Sequence, residues 1–203
     1  MNWLAHIFLS PPSIHFQLGN LLADMTKGRA WAGAPSEFVR GTALHRQIDR
    51  LTDSDPIFKR SSRRIGEQGF LRGIVIDLVY DHFLSKNWRR YSDVALDVYL
   101  KRFYEEALES IEGYPSNAQR FIYSLVRSRR LNSYSEIAGI EAAMLQMDGR
   151  LSERLKRKET TVRYLPEVLG EYESLETDFL EFFPLLRSRV CFDQSTLEPF
   201  ESN

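Results

Sequence analysis

Apolar positions recur every three or four residues along almost the whole chain, and no segment alternates well enough to be a strand. Leu165, Leu169, Tyr172, Leu175, Phe179, Phe182 and Leu186 form the clearest stripe, and Leu100, Phe103, Ala107 and Ile111 form another. The spacing predicts helices over roughly 13–27, 36–52, 55–66, 69–86, 93–112, 115–130, 134–151 and 163–189, with a short one near 2–9. Breaks fall at Pro11-Pro12, Gly28 to Pro35, Ser54-Asp55-Pro56, Gly66 to Gly69, Gly113 to Pro115 and Arg130 to Ser133. Each break is short, with no low-complexity linker and no internal repeat. The pattern describes one all-α domain, a helical bundle over residues 1–193, followed by a tail over 194–203.

The polar residues inside these apolar stripes carry the chemistry. In Phe70 to Leu84, FLRGIVIDLVYDHFL, apolar residues cover nearly every face, so this helix belongs in the core with Asp77, Asp81 and His82 embedded in it. A buried carboxylate costs several kcal/mol unless a cation or hydrogen bonds compensate, and two carboxylates four apart repel on one face. A bound divalent cation removes both penalties. The same spacing recurs in His45 and Asp49, in Asn20 and Asp24, and in Asn2 and His6, each pair within an apolar segment. Helical proteins build metal sites by converging such faces. The mixture of imidazole nitrogen and carboxylate oxygen suits Mn²⁺, Mg²⁺, Fe²⁺ or Zn²⁺.

Plainer roles compete for the same residues. His15 reads as a hydrogen-bonded core histidine. Asp49 has Arg46, Arg50 and Arg72 as potential ion-pair partners, Asp24 could bond a helix N-terminus, and Asn2 and Asn20 suit hydrogen-bonding support. Cys191 has no neighbouring histidine to activate it. Ser10, Ser13 and Ser85 lack a nucleophile-elbow context.

Charge adds a direction. The net charge is −1, which gives no global attraction for nucleic acid. From Lys27 to Arg90, however, thirteen Lys and Arg face seven Asp and Glu. Further basic clusters lie at Arg127, Arg129 and Arg130 and from Arg154 to Lys158. Such a bias suits an acidic or phosphorylated partner. The opening MNWLAHIFLSPPS is too short for a membrane span and lacks the basic flank of a signal peptide. With a single cysteine that can close no internal disulfide, a cytoplasmic location without membrane attachment is expected.

MNWLAH at the start, GNLLAD at 19–24, HRQID at 45–49 and DLVYDHFLSKNW at 77–88 resemble the acyl carrier protein phosphodiesterases in residues, order and spacing. The likeness continues into YESLETDFLEFFP at 172–184. It implies hydrolysis of the phosphodiester joining 4′-phosphopantetheine to a serine of holo-acyl carrier protein, with Mn²⁺ as preferred cofactor and Mg²⁺ or Fe²⁺ as substitutes. It also implies a distant relation to the all-helical HD-type metal phosphohydrolases, although this chain has Asp81-His82 in place of a His-Asp pair. The matching positions are His6, Asn20, Asp24, His45, Asp49, Asp77, Asp81 and His82. From their chemistry, Asp24, His45, Asp77 and Asp81 are the expected metal ligands, and His6, Asp49 and His82 the catalytic or supporting groups. Asn20, Lys27, Arg46 and Arg50 are the expected substrate contacts. The resemblance implies an acidic helical carrier as substrate, with Lys59, Arg60, Arg63 and Arg64 steering its approach. An HD-like enzyme acting on nucleotides, or a carrier-binding module without catalysis, is compatible with the same residues.

Overall fold

The computed structural model describes residues 1–27 and 30–190, and their regular structure is helical, with no strand among the described residues. In chain order the helices are α1 (Trp3–Phe8), α2 (Ile14–Leu22), α3 (Ser36–Ser54), α4 (Pro56–Arg64), α5 (Arg72–Lys86) and α6 (Leu96–Ser110). They continue with α7 (Ser116–Ser128), α8 (Ile137–Arg150), α9 (Glu153–Lys156), α10 (Leu165–Gly170) and α11 (Tyr172–Arg189). Tight 3₁₀ turns lie at Trp88–Arg90, Arg130–Ser135 and Val162–Tyr164. This is the all-α, single-domain architecture that the periodicity describes. No helix among the described residues is long and apolar enough to cross a membrane. Cys191 and the expected tail lie outside the described residues.

α5 is the axis. Val75, Ile76, Val79, Tyr80, Phe83 and Leu84 are completely buried, as the all-round apolar pattern requires. One side packs on α11, where the Phe179 ring meets Tyr80 edge-on at 5.4 Å and Phe183 stacked at 5.2 Å. Asp178, almost fully buried on α11, is satisfied from α4: Arg60 Nε donates at 2.9 Å, and Ser61 Oγ and Arg64 Nε at 2.8 Å. Arg60 also pairs with Glu181, and Arg64 with Glu171. Two of the four cations expected to steer a substrate are therefore bound within the fold.

Element boundaries follow local chemistry. Asp55 caps α4 by accepting from the Ile57 N–H at 2.8 Å, with Pro56 in the first helical turn. The helix expected over 13–27 ends at Leu22, where the Thr26 hydroxyl turns back onto the Leu22 and Ala23 carbonyls and Lys27 adopts a left-handed φ of 52°. The stripe over 163–189 is not one helix but divides after Gly170, a poor helix former, and Tyr172 then turns its hydroxyl to His82.

The other side of α5 faces α1 and α8, α1 packs on α2, and α3 crosses α2 closely. A Cβ on Gly19 of α2 would lie 2.1 Å from the Phe38 carbonyl oxygen, and one on Gly41 of α3 would lie 2.2 Å from that of Phe16. The two backbones touch, and only glycine fits at either point. Gly41→Ala must force them apart at a cost of about 1–3 kcal/mol. Denaturant unfolding should show that loss, and an unchanged midpoint would refute so tight a crossing.

Candidate metal centre

α1, α2 and α3 each carry one or two polar residues to the place where they meet. His6 comes from α1, Asn20 from α2, His45 and Asp49 from α3, and Asp24 from the turn after α2. One donor atom each from His6, His45 and Asp49 lies within 4.8 Å of the others. The two imidazoles stack with centroids 4.2 Å apart.

Asn20 fixes how these rings present themselves. Its side-chain amide nitrogen donates to the His6 carbonyl at 2.8 Å and to Ser10 Oγ at 2.9 Å, so its side-chain oxygen is the free acceptor. That oxygen takes the Nδ1–H of His6 at 2.7 Å, while the Asn20 backbone carbonyl takes the Nδ1–H of His45 at 2.8 Å. Both rings thus hold their proton on Nδ1 and turn Nε2 toward the carboxylates. His6 Nε2 lies 3.3 Å from Asp49 Oδ1 and 3.0 Å from the Met1 carbonyl. His45 Nε2 lies 3.0 Å from Asp49 Oδ2 and 3.2 Å from Asp24 Oδ1.

The electrostatics are unbalanced. Burial drives the His6 imidazole to lower pKa against the pull of Asp49, so its unprotonated Nε2 faces two oxygens that can only accept. Burial also disfavours charge on His45, yet the hydrogen bonds to Asp24 and Asp49 outweigh it and raise this ring to about 9. Asp49 is disfavoured by burial too, but the hydrogen bond from protonated His45 and the nearby Met1 amino group hold it well below the usual carboxylate range. Asp24, bonded to His45, is shifted the same way. A lone pair aimed at a permanent carboxylate is an arrangement that a cation relieves. Two imidazole nitrogens and two carboxylates, oriented by carbonyls behind the rings, fit a divalent ion of intermediate hardness.

The other expected residues fall elsewhere. Asp81 is fully buried, and its two oxygens accept the backbone N–H groups of Leu4 at 2.7 Å and Ala5 at 3.0 Å, securing the start of α1. Asp77 faces the Met1 amino group at 2.8 Å, and that group in turn lies 3.8 Å from Asp49 Oδ1. His82 directs Nδ1 to the Tyr134 carbonyl and Nε2 to the Tyr172 hydroxyl, both at 2.7 Å. The structure therefore does not bring His82 or Asp81 into the cluster. Arg46 and Arg50 are exposed on α3, one position beyond His45 and Asp49, and Lys27 is exposed in the turn beyond Asp24. Sequence reasoning took His6 and Asp49 as catalytic or supporting groups, and the structure brings both beside His45. The same reasoning took Asn20 as a substrate contact, because the backbone half of its role leaves no mark in residue identity.

A profile of the family described as acyl carrier protein phosphodiesterase matches residues 1–186. The chain belongs to that family. Proteins named acyl carrier protein phosphodiesterase align over nearly their full length. The one from Yersinia pestis is 30% identical over 196 residues, covering 96% of this chain and 100% of the relative. One from Escherichia coli O6:H1 is 31% identical over 201 residues, covering 94% and 97%. No solved structure matches the chain. The cluster of this family member is built from His6 and a His45–Asp49 pair one helical turn apart.

Two expectations follow. Because folding raises His45 from its ordinary 6.5 to about 9, metal-free protein holds the full benefit of this ion cluster below pH 6.5 and loses it as pH climbs through 9. Melting temperatures of chelator-treated protein should fall across that window, and His45→Gln should flatten the slope. Asn20→Leu should weaken Mn²⁺ binding by about 10- to 100-fold in calorimetry, the usual effect of losing an orienting partner. Unchanged affinity would remove Asn20 from the site.

Proposed function

We propose that this chain is a cytoplasmic, metal-dependent phosphodiesterase that hydrolyses the bond between 4′-phosphopantetheine and a serine of holo-acyl carrier protein. The products are apo-acyl carrier protein and free 4′-phosphopantetheine. Family membership supports the reaction class, and one observation supports the metal: two buried Nε2 atoms converging on one carboxylate with no proton donor between His6 and Asp49.

His6, His45 and Asp49 would hold the ion, with Asp24 at the open edge; Mn²⁺ suits this donor set, as do Mg²⁺ and Fe²⁺. Such an ion, when bound, supplies positive charge to phosphate oxygens and acidifies water. The chain's own groups do the rest. Asn20 keeps both rings turned with Nε2 outward, so the donors need no rearrangement as charge develops. Asp24, whose side chain is 91% exposed, is the carboxylate an incoming water reaches first and the group that accepts its proton. Lys27, Arg46 and Arg50, exposed and close in sequence to Asp24, His45 and Asp49, would bind the phosphate oxygens. The water oxygen bonds to phosphorus as the bond from phosphorus to the serine oxygen breaks, and the proton that Asp24 took from the water passes through solvent to the serine oxygen, which leaves as a hydroxyl. The Nε2 of His6 points at Asp49 alongside that of His45, so His6 holds the site rather than protonating the leaving group.

Intact mass spectrometry of holo-acyl carrier protein incubated with the protein and Mn²⁺ tests this reading. Wild type should remove one phosphopantetheine mass, chelator should stop it, and Asp49→Ala should slow it on the order of 100-fold or more. No mass change with any divalent ion, alongside turnover of nucleotide phosphates, would replace the carrier with a nucleotide substrate.

A further inference from the structure

The basic residues best placed to meet a protein partner lie on a face the site does not use. Arg130 and Arg150, from different elements, sit over the same ring: their guanidinium carbons are 5.3 Å and 5.0 Å from the centre of the Trp3 indole. Trp3 is itself fixed edge-on against Phe121 at 5.1 Å. Arg127 and Arg129, at the end of α7, add two exposed cations beside Arg130. None of these four has a carboxylate within ion-pair distance among the described residues, whereas Arg60 and Arg64 converge on Asp178. The two guanidinium charges gathered on one indole repel each other, a cost that the ring face offsets in part and that a bound anion relieves. Burial, together with the Arg150 charge, already disfavours the cationic form of Arg130.

This face adjoins the metal centre. The cleft beneath it is lined by Asn2, Trp3, Leu78, Tyr134, Met147 and Arg150. Asn2 follows Met1, whose carbonyl touches His6 Nε2 and whose amino group faces Asp49. The cleft holds only about 10 Å³, far less than the roughly 300–1,000 Å³ of small-ligand pockets, so it takes no small molecule and the ring and guanidinium faces above it are the contact surface.

Resting on the carrier-protein reading above, we infer that Trp3, Arg127, Arg129, Arg130 and Arg150 form the docking surface for the protein part of the substrate, and that the carrier presents Asp and Glu side chains to it. The indole and guanidinium groups give a rigid, flat, cationic platform, the kind of anchor that dominates protein interfaces. Charge at its rim acts on the encounter more than on the chemical step.

Steady-state kinetics on holo-acyl carrier protein separate the two. Arg130→Glu/Arg150→Glu should raise KM about tenfold or more and flatten its dependence on salt, with kcat within about twofold. Arg130→Gln/Arg150→Gln, the milder pair, should show the same change at smaller size, with melting curves confirming that both variants fold. Arg102→Glu, on exposed α6, should leave KM unchanged. Replacing carrier carboxylates by Lys should restore the Glu variant selectively. An unchanged KM in the folded variants, or a loss confined to kcat, would overturn the docking surface while leaving the enzyme assignment intact. A wild type that cleaves no carrier with any divalent ion would overturn the reading on which it rests.

Discussion

Everything at the site depends on two backbones touching. Where α2 crosses α3, Gly19 and Gly41 let carbonyl oxygens occupy the space a methyl group would need. That contact sets Asn20 directly beside His45, close enough for its main-chain carbonyl to hold the Nδ1 proton. The same residue reaches the other way to His6, so a single asparagine orients rings from two helices. Bulkier packing would still bury the apolar faces of α2 and α3, but it would separate the polar groups by more than a hydrogen bond can span.

Buried carboxylates in this bundle are otherwise carefully matched. Asp178 meets two guanidinium groups and a hydroxyl, and Asp81 meets two backbone N–H groups at the start of α1. Asp148 takes the N–H and hydroxyl of Thr161, and Glu159 takes the N–H groups of Phe70 and Leu71. Each is a structural solution to the cost of an acid inside protein. Asp49 is different because its partners are imidazoles, one of them neutral. Donors to the carboxylate are then few, the Met1 amino group standing off at 3.8 Å, and that imbalance sets Asp49 apart from the packed carboxylates.

Helix content was legible from the sequence because the apolar period is strong, and α5 was placed at the centre by its lack of any polar face. The pairs four apart also named most of the cluster: Asn20 with Asp24 and His45 with Asp49 meet as the pattern suggests. The roles were less legible. Asp81 belongs to an equally suggestive pair, yet its partners are main-chain amides 77 and 76 residues away, which no local pattern records. His82 was expected as a catalytic or supporting group, and tertiary contacts with Tyr134 and Tyr172 claim both its nitrogens. The basic run in α4 misled because its acids, Asp178 and Glu181, lie more than a hundred residues downstream.

The short α1 has a meaning for assembly. A helix of six residues has no independent stability in water, and this one is held at its first turn by Asp81 from the middle of α5. His6 therefore arrives at the centre only when the N-terminal turn has closed onto a formed core. The ring that completes the His6–His45–Asp49 cluster is delivered by an element of six residues, so the cluster itself exists only when folding has finished.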